Sequence, residues 1–232
     1  MSIRVAVITP ASMNRLDHLQ RQRRFLTEVR TPGIEVVRVE AWLDVDAPPA
    51  VPSVLSVHVP PGRDGMRVGA ARNAAAALAL DHGVDLLVFL DVDCLPGPDL
   101  LERYVDAARD HPHDLLCGPV TYLHSVQRPS RMVDLGTMTR PHPARPLPPD
   151  GDVVTATDDE FDLFWSLSFA VTAETWTRLG GFDEAYEGYG AEDTDLGRRA
   201  RSLGMRVQWV GGAHAYHPVS YTHLTLPTTP YV

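Results

Sequence analysis

The chain has 232 residues, 44% of them hydrophobic, and a formal net charge of −9. This length and apolar content suit one α/β domain with a sizeable core, and the negative charge argues against nucleic acid as the main partner. No apolar run approaches the roughly 18 residues of a membrane-spanning helix, and the N-terminus lacks the layout of a signal peptide. We therefore expect a cytoplasmic protein. Cys94 and Cys117 lack metal-type spacing and are expected to be free thiols in a reducing compartment.

The first part of the chain alternates strand and helix patterns. Strand composition is found at residues 3–9, 34–39 and 54–59, and helical periodicity at 14–30 and 67–80. Pro10 is expected to end the first strand, and Pro32 and Gly33 to stop the first helix.

Residues 84–93, VDLLVFLDVD, are the centre of the predicted fold. Their apolar run is typical of a strand buried on both faces. Side chains two apart in an extended segment point the same way, so we expect Asp91 and Asp93 to project together from the carboxyl end of this strand. Two close carboxylates need a cation, and their oxygens suit Mg²⁺ or Mn²⁺. Taken alone, the pair also fits a solvated acidic turn.

The second part continues the alternation. A helix is expected from Pro98, strands at 115–120 and 165–172, helices at 173–179 and 192–203, and a last strand at 207–210. Residues 121–152 show no period and are predicted to be a flexible flap. The order predicts an α/β fold with a mostly parallel sheet and helices on both faces.

Residues 180–195 combine four glycines with a run of acids. Glycines allow sharp turns and close approach to a ligand. Glu192 and Asp193 then fall in the first turn of a helix, whose dipole keeps carboxylates ionised. The alternative is a purely structural acidic start to the helix, with Asp195 paired to Arg198 or Arg199.

Two histidines, His214 and His217, follow the last predicted strand. A single histidine there would be read as packed or solvent-facing, but two beside an expected metal site favour a ligand. Their spacing in a non-helical segment argues against both binding one metal.

In this order, the motifs resemble those of metal-dependent glycosyltransferases of the GT-A fold, most closely the galactosyltransferase catalytic domain and the family-2 enzymes. The likeness spans about residues 3–218 and implies one Rossmann-like GT-A domain over residues 1–218. It is carried by residues 10–19 after the first strand, by 71–73 (ARN), by 89–96 (FLDVDCLP, like the DVD box), by 188–195 (GYGAEDTD, like the GWGGEDDD box) and by His217.

The resemblance implies a role for each matching residue. Asp93 and His217 would hold the metal, and Asp91 would contact the ribose or sugar beside it and counts as a further candidate metal ligand. Asp193 would be the general base and Glu192 would bind a sugar hydroxyl. The remaining candidates for binding the nucleotide sugar are Thr9, Pro10, Arg15, Arg72, Asn73, Tyr189 and Gly190.

The implied function is an inverting glycosyltransferase that uses Mn²⁺ or Mg²⁺. It would move a galactose- or N-acetylhexosamine-type sugar from a nucleotide, expected to be UDP, to a saccharide or lipid-linked acceptor. One alternative is a sugar nucleotidyltransferase, but the turn at residues 10–14 lacks the Gly-rich basic loop that this class needs. The other is a catalytically silent carbohydrate- or nucleotide-binding module, which would have no use for a general base.

Two further segments carry predictions. Arginines on the helix at 14–30 form either a solvated face or a peripheral contact with the inner surface of an anionic membrane or with a lipid-diphosphate acceptor. Residues 219–232 are rich in Thr and Pro, unlike the preceding chain, and are expected to be a non-native, adaptor-derived tail. The arginines are Arg15, Arg21, Arg23, Arg24 and Arg30.

Overall fold

A computed structural model describes residues 2–48, 51–124, 127–188 and 190–218, so the predicted tail and Tyr189 lie outside the described residues. The strands are β1 (Ile3–Ala11), β2 (Ile34–Trp42), β3 (Leu55–His58), β4 (Leu86–Leu90), β5 (Leu95–Pro96), β6 (Leu115–Cys117), β7 (Val120–Leu123), β8 (Val153–Thr155), β9 (Ser168–Thr172), β10 (Val207–Val210) and β11 (Ala215–Pro218). The helices are α1 (Leu16–Leu26), α2 (Val68–Asp81), α3 (Leu100–Asp110), α4 (Met132–Met138), α5 (Ala173–Leu179) and α6 (Glu192–Ser202), with 3₁₀ turns at Met13–Arg15 and Asp158–Leu163.

The main sheet has the order β3-β2-β1-β4-β9-β6-β10-β8. Its neighbouring strands are parallel except where β9 runs against β4 and β6, and β8 against β10. A smaller sheet has the order β5-β11-β7. The predicted α/β fold with a mostly parallel sheet is confirmed, whereas the smaller sheet was not foreseen.

Helices cover both faces of the main sheet, as predicted. On one face the core includes Ala75 of α2, Trp176 of α5 and Leu196 of α6. On the other it includes Leu101 and Tyr104 of α3. Every residue of β4 is buried, which agrees with its continuous apolar run. None of the helices in the described part of the chain is long and apolar enough to cross a bilayer.

The first strand continues through Pro10 to Ala11, so its predicted end at Thr9 is wrong. Strand β1 pairs with β4 only as far as Ile8, whereas its pairing with β2 continues to Ala11. Proline is tolerated there because a strand with one neighbour needs fewer backbone N–H donors.

The segment predicted as one strand at 115–120 is two strands in different sheets. At Gly118 the chain passes so close to the backbone of Ala213 that an added Cβ would collide with its carbonyl oxygen. Glycine therefore lets the chain leave β6 in the main sheet and enter β7 in the smaller one. Strand β10 is also not the last strand, because β11 follows and pairs with β7 in parallel.

Part of the predicted flap at 121–152 is built into the fold. It contains α4 and β7, and Pro141 forms a bridge to Thr121. Arg145 is 5% exposed and donates hydrogen bonds to the carbonyl oxygens of Leu163, Gly118 and Trp165. Long-range contacts of this kind leave no periodic pattern in the sequence, which explains why α4 and the contacts of Arg145 were not foreseen.

The smaller sheet contains a buried histidine that should make stability depend on pH. His214 precedes β11, and its Nε2 lies 2.7 Å from Oγ1 of Thr121 in β7. Burial lowers the pKa of His214 to about 4. The unfolded chain takes up the proton near pH 6.5, so the stability contributed by neutral His214 is complete above that pH and is lost as the pH falls towards 4.

We therefore expect the free energy of unfolding to fall by about 2 kcal/mol more in the wild type than in His214→Gln between pH 7.5 and 5.0. Urea denaturation at both pH values measures the difference. The exposed His113→Gln is the control and should behave as the wild type. Equal losses in the wild type and His214→Gln would show that His214 is not held neutral.

Candidate active site

A cleft of about 300 Å³ opens at the carboxyl ends of β1 and β4. Its walls bring together cationic and acidic side chains from opposite ends of the sequence. The predicted site residues that line it are Pro10, Arg15, Arg72, Asp91, Asp93, Gly190 and Glu192. The other lining residues are Ala11, Ser12, Asn14, Leu43, Met66, Val68, Val92 and Gly188.

The two acids after β4 do not extend the strand. Strand β4 ends at Leu90, and the N–H of Cys94 donates to the carbonyl oxygen of Asp91 at 2.8 Å, which closes a turn. The expectation that Asp91 and Asp93 lie on one side of an extended strand is therefore wrong. The turn directs them to different cations, so two like charges need not share one partner.

Asp91 is held by Arg72, a buried arginine on helix α2. Nη2 of Arg72 lies 2.6 Å from Oδ1 of Asp91, and its Nη1 lies 3.5 Å from Oε1 of Glu192. The guanidinium is also 5.2 Å from the ring centroid of Phe182. Burial raises the pKa of Asp91, and the charge of Arg72 opposes that rise. Arg72 thus joins α2, the turn after β4 and the start of α6.

Asp93 faces a different pair of groups. Its Oδ2 lies 3.4 Å from Nη1 of Arg15, and its Oδ1 lies 3.4 Å from Nε2 of His217. Strand β11 brings His217 here across the smaller sheet, and the His217 ring packs 5.1 Å from that of Tyr122. His214, by contrast, is buried against Thr121 and does not face Asp93 with it.

The group around Asp93 fits a divalent cation. One donor atom each of Asp93, Cys94 and His217 lies within 4.8 Å of the other two. Burial raises the pKa of the Cys94 thiol well above its usual value, so this thiol is neutral and a poor ligand. Nδ1 of His217 is buried and has no hydrogen-bond partner among the described residues, and Nε2 is the nitrogen nearest Asp93. A carboxylate and an imidazole beside an open cleft can coordinate a divalent cation whose remaining ligands come from a substrate.

Helix α6 begins as predicted, with Glu192, Asp193 and Asp195 in its first turn. Oδ1 of Asp193 accepts from the N–H of Thr194 at 2.7 Å, and Asp193 does not line the cleft itself. Asp195 pairs with Arg199 at 2.7 Å, which confirms the structural reading of that residue. Ala191 has φ of +73°, a conformation that glycine adopts freely and alanine adopts with strain, so the start of this helix is strained.

Thr9 and Asn73 hold the framework and do not line the cleft. Oγ1 of Thr9 donates to Oε1 of Gln22 at 2.9 Å. Asn73 donates to the carbonyl oxygen of Phe182 at 2.9 Å and accepts from its N–H at 2.8 Å. These two residues, predicted to bind the donor, therefore have hydrogen-bond partners within the protein itself.

Gln22 is a supporting residue that the sequence did not reveal. It lies on α1 with 1% exposure, and its Nε2 donates to the carbonyl oxygens of Asp91 at 2.6 Å and Cys94 at 2.8 Å. These bonds fix the turn that carries both acids. A glutamine among arginines gives no sequence signal of burial, because such a helix reads as solvated.

Comparison with known sequences connects this geometry to a family. The family described as glycosyl transferase family 2 matches residues 56–159, and the N-terminal domain of galactosyltransferase matches residues 156–223. Two proteins named Validoxylamine A glucosyltransferase, from Streptomyces hygroscopicus subsp. jinggangensis (strain 5008) and subsp. limoneus, are each 31% identical over 160 residues. The alignments cover 61% of this chain but 36% and 34% of those proteins, so the chain spans about a third of the length of these relatives.

Solved structures share the architecture. GalNAc-T7 with UDP, GalNAc and Mn²⁺ has a TM-score of 0.63 and 14% identity, over 94% of this chain and 44% of that one. The chain has the GT-A glycosyltransferase fold. S. aureus TarS 1–349 has a TM-score of 0.61 and 14% identity, over 94% of this chain and 60% of the TarS chain. The catalytic domain of Drosophila β1,4-galactosyltransferase 7 in complex with xylobiose has a TM-score of 0.59 with 16% identity, over 99% of this chain and 76% of that one.

The resemblance inferred from the motifs of this GT-A chain is therefore confirmed. The two family matches meet near residues 156–159, between the segment with the DVD motif and the segment with the glycine-rich acidic stretch. The sequence had pointed to the same two groups of enzymes.

The support that Gln22 gives to the GT-A site can be tested by stability. We expect Gln22→Met to lower the free energy of unfolding by about 2 kcal/mol or more, because two buried carbonyl oxygens lose their donor. Chemical denaturation measures the change. Gln20→Met, at an exposed position of the same helix, is the matched control and should change stability by less than about 0.5 kcal/mol. Similar small effects from both variants would contradict the role of Gln22.

Proposed function

We propose that this chain is an inverting, metal-dependent glycosyltransferase that moves a hexose-type sugar from a nucleotide, with UDP the expected nucleotide, to a hydroxyl of a saccharide or lipid-linked acceptor. The observation that carries the proposal is the 3.4 Å approach of Asp93 to His217 at the edge of a cleft lined by Arg15 and Arg72. Cations around a cleft suit a diphosphate. The structurally similar GalNAc-T7 was solved with UDP and Mn²⁺, which supports this choice of donor and metal.

Asp93 and His217 would hold Mn²⁺ or Mg²⁺, which when bound would offset the charge on the departing nucleoside diphosphate. Arg15, which pairs with Asp93 at 3.4 Å, lies where it could turn to the phosphates. Asp91, held by Arg72, would bind the ribose or sugar. Donor binding in this proposal depends on side chains from the turn after β4, the 3₁₀ turn before α1, helix α2 and strand β11.

Asp193 would accept the proton of the acceptor hydroxyl. It lies in the first turn of α6, at the positive end of the helix dipole. Glu192, fixed by Arg72, would hydrogen-bond a sugar hydroxyl. Activation of the acceptor by one base allows direct displacement of the nucleotide, and a single displacement inverts the anomeric carbon.

The cellular location is also part of the proposal. Cys94 and Cys117 are both free and buried, which supports a reducing compartment such as the cytoplasm. Of the arginines predicted to lie on one basic helix, Arg23 of α1 pairs with Glu40 at 2.6 Å, and Arg30, which follows the end of α1, pairs with Asp99. These internal pairs weaken the case for docking on an anionic membrane.

The assignment of the base predicts a separation of binding from turnover. We expect Asp193→Asn to lower the rate of transfer by roughly 10² to 10⁴-fold, since an amide cannot take the proton. Mn²⁺-dependent binding of the UDP-sugar, measured by calorimetry, should stay unchanged. The rate of transfer is measured from the amount of UDP released in the presence of saccharide acceptors.

Two variants control this experiment. Asp162→Asn, at a surface carboxylate on the 3₁₀ turn, should keep full activity. Asp93→Asn should lose the metal-dependent binding itself. If Asp193→Asn weakened donor binding as much as Asp93→Asn does, the base would be assigned wrongly.

A further inference from the structure

A cluster of aromatic rings extends from His217, a proposed metal ligand. The ring centroid of Tyr122 lies 5.1 Å from that of His217 and 5.5 Å from that of His142. His142 in turn lies 5.2 Å from Trp165. We call Tyr122, His142 and Trp165 the aromatic wall. None of its three residues lines the cleft where the nucleotide is proposed to bind.

The aromatic wall is rigid but still accessible. Its rings meet edge to face, with interplanar angles of 68° and 84°, and this arrangement locks neighbouring rings together. Tyr122 is 36% exposed, and His142 and Trp165 are half-buried. Ordered aromatic surface that keeps contact with solvent is typical of a ligand-binding surface.

A buried cation fixes the far end of the aromatic wall. The guanidinium of Arg145 lies 4.3 Å from the centroid of Trp165 and 5.4 Å from that of Trp209. Its hydrogen bonds go to backbone carbonyl oxygens, and no carboxylate pairs with it among the described residues. A cation placed on an indole ring holds that ring in one orientation, which reduces the ordering that a ligand must impose.

The aromatic wall adjoins the proposed metal ligand. The ring of Tyr122 packs 5.1 Å from that of His217, whose Nε2 lies 3.4 Å from Oδ1 of Asp93. A molecule lying on the wall would therefore be placed beside the metal site that the proposed transfer needs.

The chemistry of these rings favours a saccharide. The negative face of an aromatic ring attracts the polarised C–H groups on one face of a sugar ring, while the sugar hydroxyls remain free at its edges. A nucleobase would also stack, but Arg15, Arg72 and Asp91, the proposed nucleotide contacts, lie in the separate cleft.

We propose that Tyr122, His142 and Trp165 form a saccharide subsite that binds the acceptor. That it binds a saccharide follows from the aromatic wall itself, whereas the role of acceptor rests on the proposed transferase function. The aromatic wall would determine which acceptors are used, and the cleft would bind the nucleotide-sugar donor.

The first test is direct binding of free saccharides to the full chain without nucleotide or metal. Saturation-transfer NMR with galactose, glucose, N-acetylglucosamine and xylobiose would identify a binder and its dissociation constant. We expect Trp165→Leu and Tyr122→Leu to raise that constant roughly 3- to 10-fold each, because a stacking ring is lost. Trp165→Phe and Tyr122→Phe keep a ring and should stay near the wild type.

Thermal melting checks that each variant folds, which matters most for Trp165 because Arg145 packs on it. Tyr122→Leu keeps the indole ring of Trp165 on which Arg145 packs, and so gives a second result that does not depend on that packing. Leu147→Ala, at a 56% exposed aliphatic side chain, is the control and should not alter binding. Wild-type affinity in folded Trp165→Leu and Tyr122→Leu, or no saccharide bound by the wild type, would overturn the subsite.

Kinetics then separate the subsite from the function. In the leucine variants we expect a higher KM for the acceptor, unchanged kcat and unchanged UDP-sugar affinity, which is the signature of lost ground-state binding. Saccharide binding that depends on the aromatic wall, in a chain that binds no UDP-sugar, would support the subsite and refute the transferase. A changed UDP-sugar affinity with an unchanged acceptor KM would place the aromatic wall on the donor side and refute the acceptor role.

Discussion

The candidate site depends on the positive charge of one buried arginine side chain. Arg72 of α2 lies between Asp91, which follows β4, and Glu192, which begins α6. Without it, two carboxylates from distant parts of the chain would repel each other at the mouth of the cleft. Breaking a fully buried ion pair costs about 3–5 kcal/mol, and the cost here is lower because 31% of the Asp91 side chain stays exposed. The remaining exposure leaves Asp91 available to a ligand.

Around Arg72, the fold gives each acid its own partner. The turn after β4, fixed by Gln22, turns Asp93 away from Asp91 and towards Arg15 and His217. His217 arrives on β11 of the smaller sheet, whose path is possible because Gly118 lets the chain pass Ala213 closely. Two sheets thus meet at Asp93: the main sheet supplies the acid and the smaller one supplies the histidine.

Local patterns in the sequence predicted the elements but not their long-range partners. The apolar run at β4 and the acidic first turn of α6 could be read directly, as could the i,i+4 pair of Asp195 and Arg199. The turn at Asp91 could not be predicted, because the expected positions of Asp91 and Asp93 assumed that the strand continues past Leu90. Gln22 and Arg145 can be buried because they donate hydrogen bonds to carbonyl oxygens far along the chain. The sequence of the basic and proline-rich segments in which they lie does not indicate that these two polar side chains are buried. The motifs therefore located the site, while its supporting contacts needed the three-dimensional structure.

In the proposed function, Asp93 and His217 would hold a divalent cation that binds a nucleotide. Calorimetric titration of UDP into the full chain, with and without Mn²⁺, tests it most directly when repeated on His217→Ala and on the exposed-site control His113→Ala. We expect Mn²⁺ to strengthen UDP binding by more than about tenfold in the wild type and in the control, and this gain to disappear in His217→Ala. UDP affinity that is the same with and without Mn²⁺, or a gain that survives in His217→Ala, would contradict it.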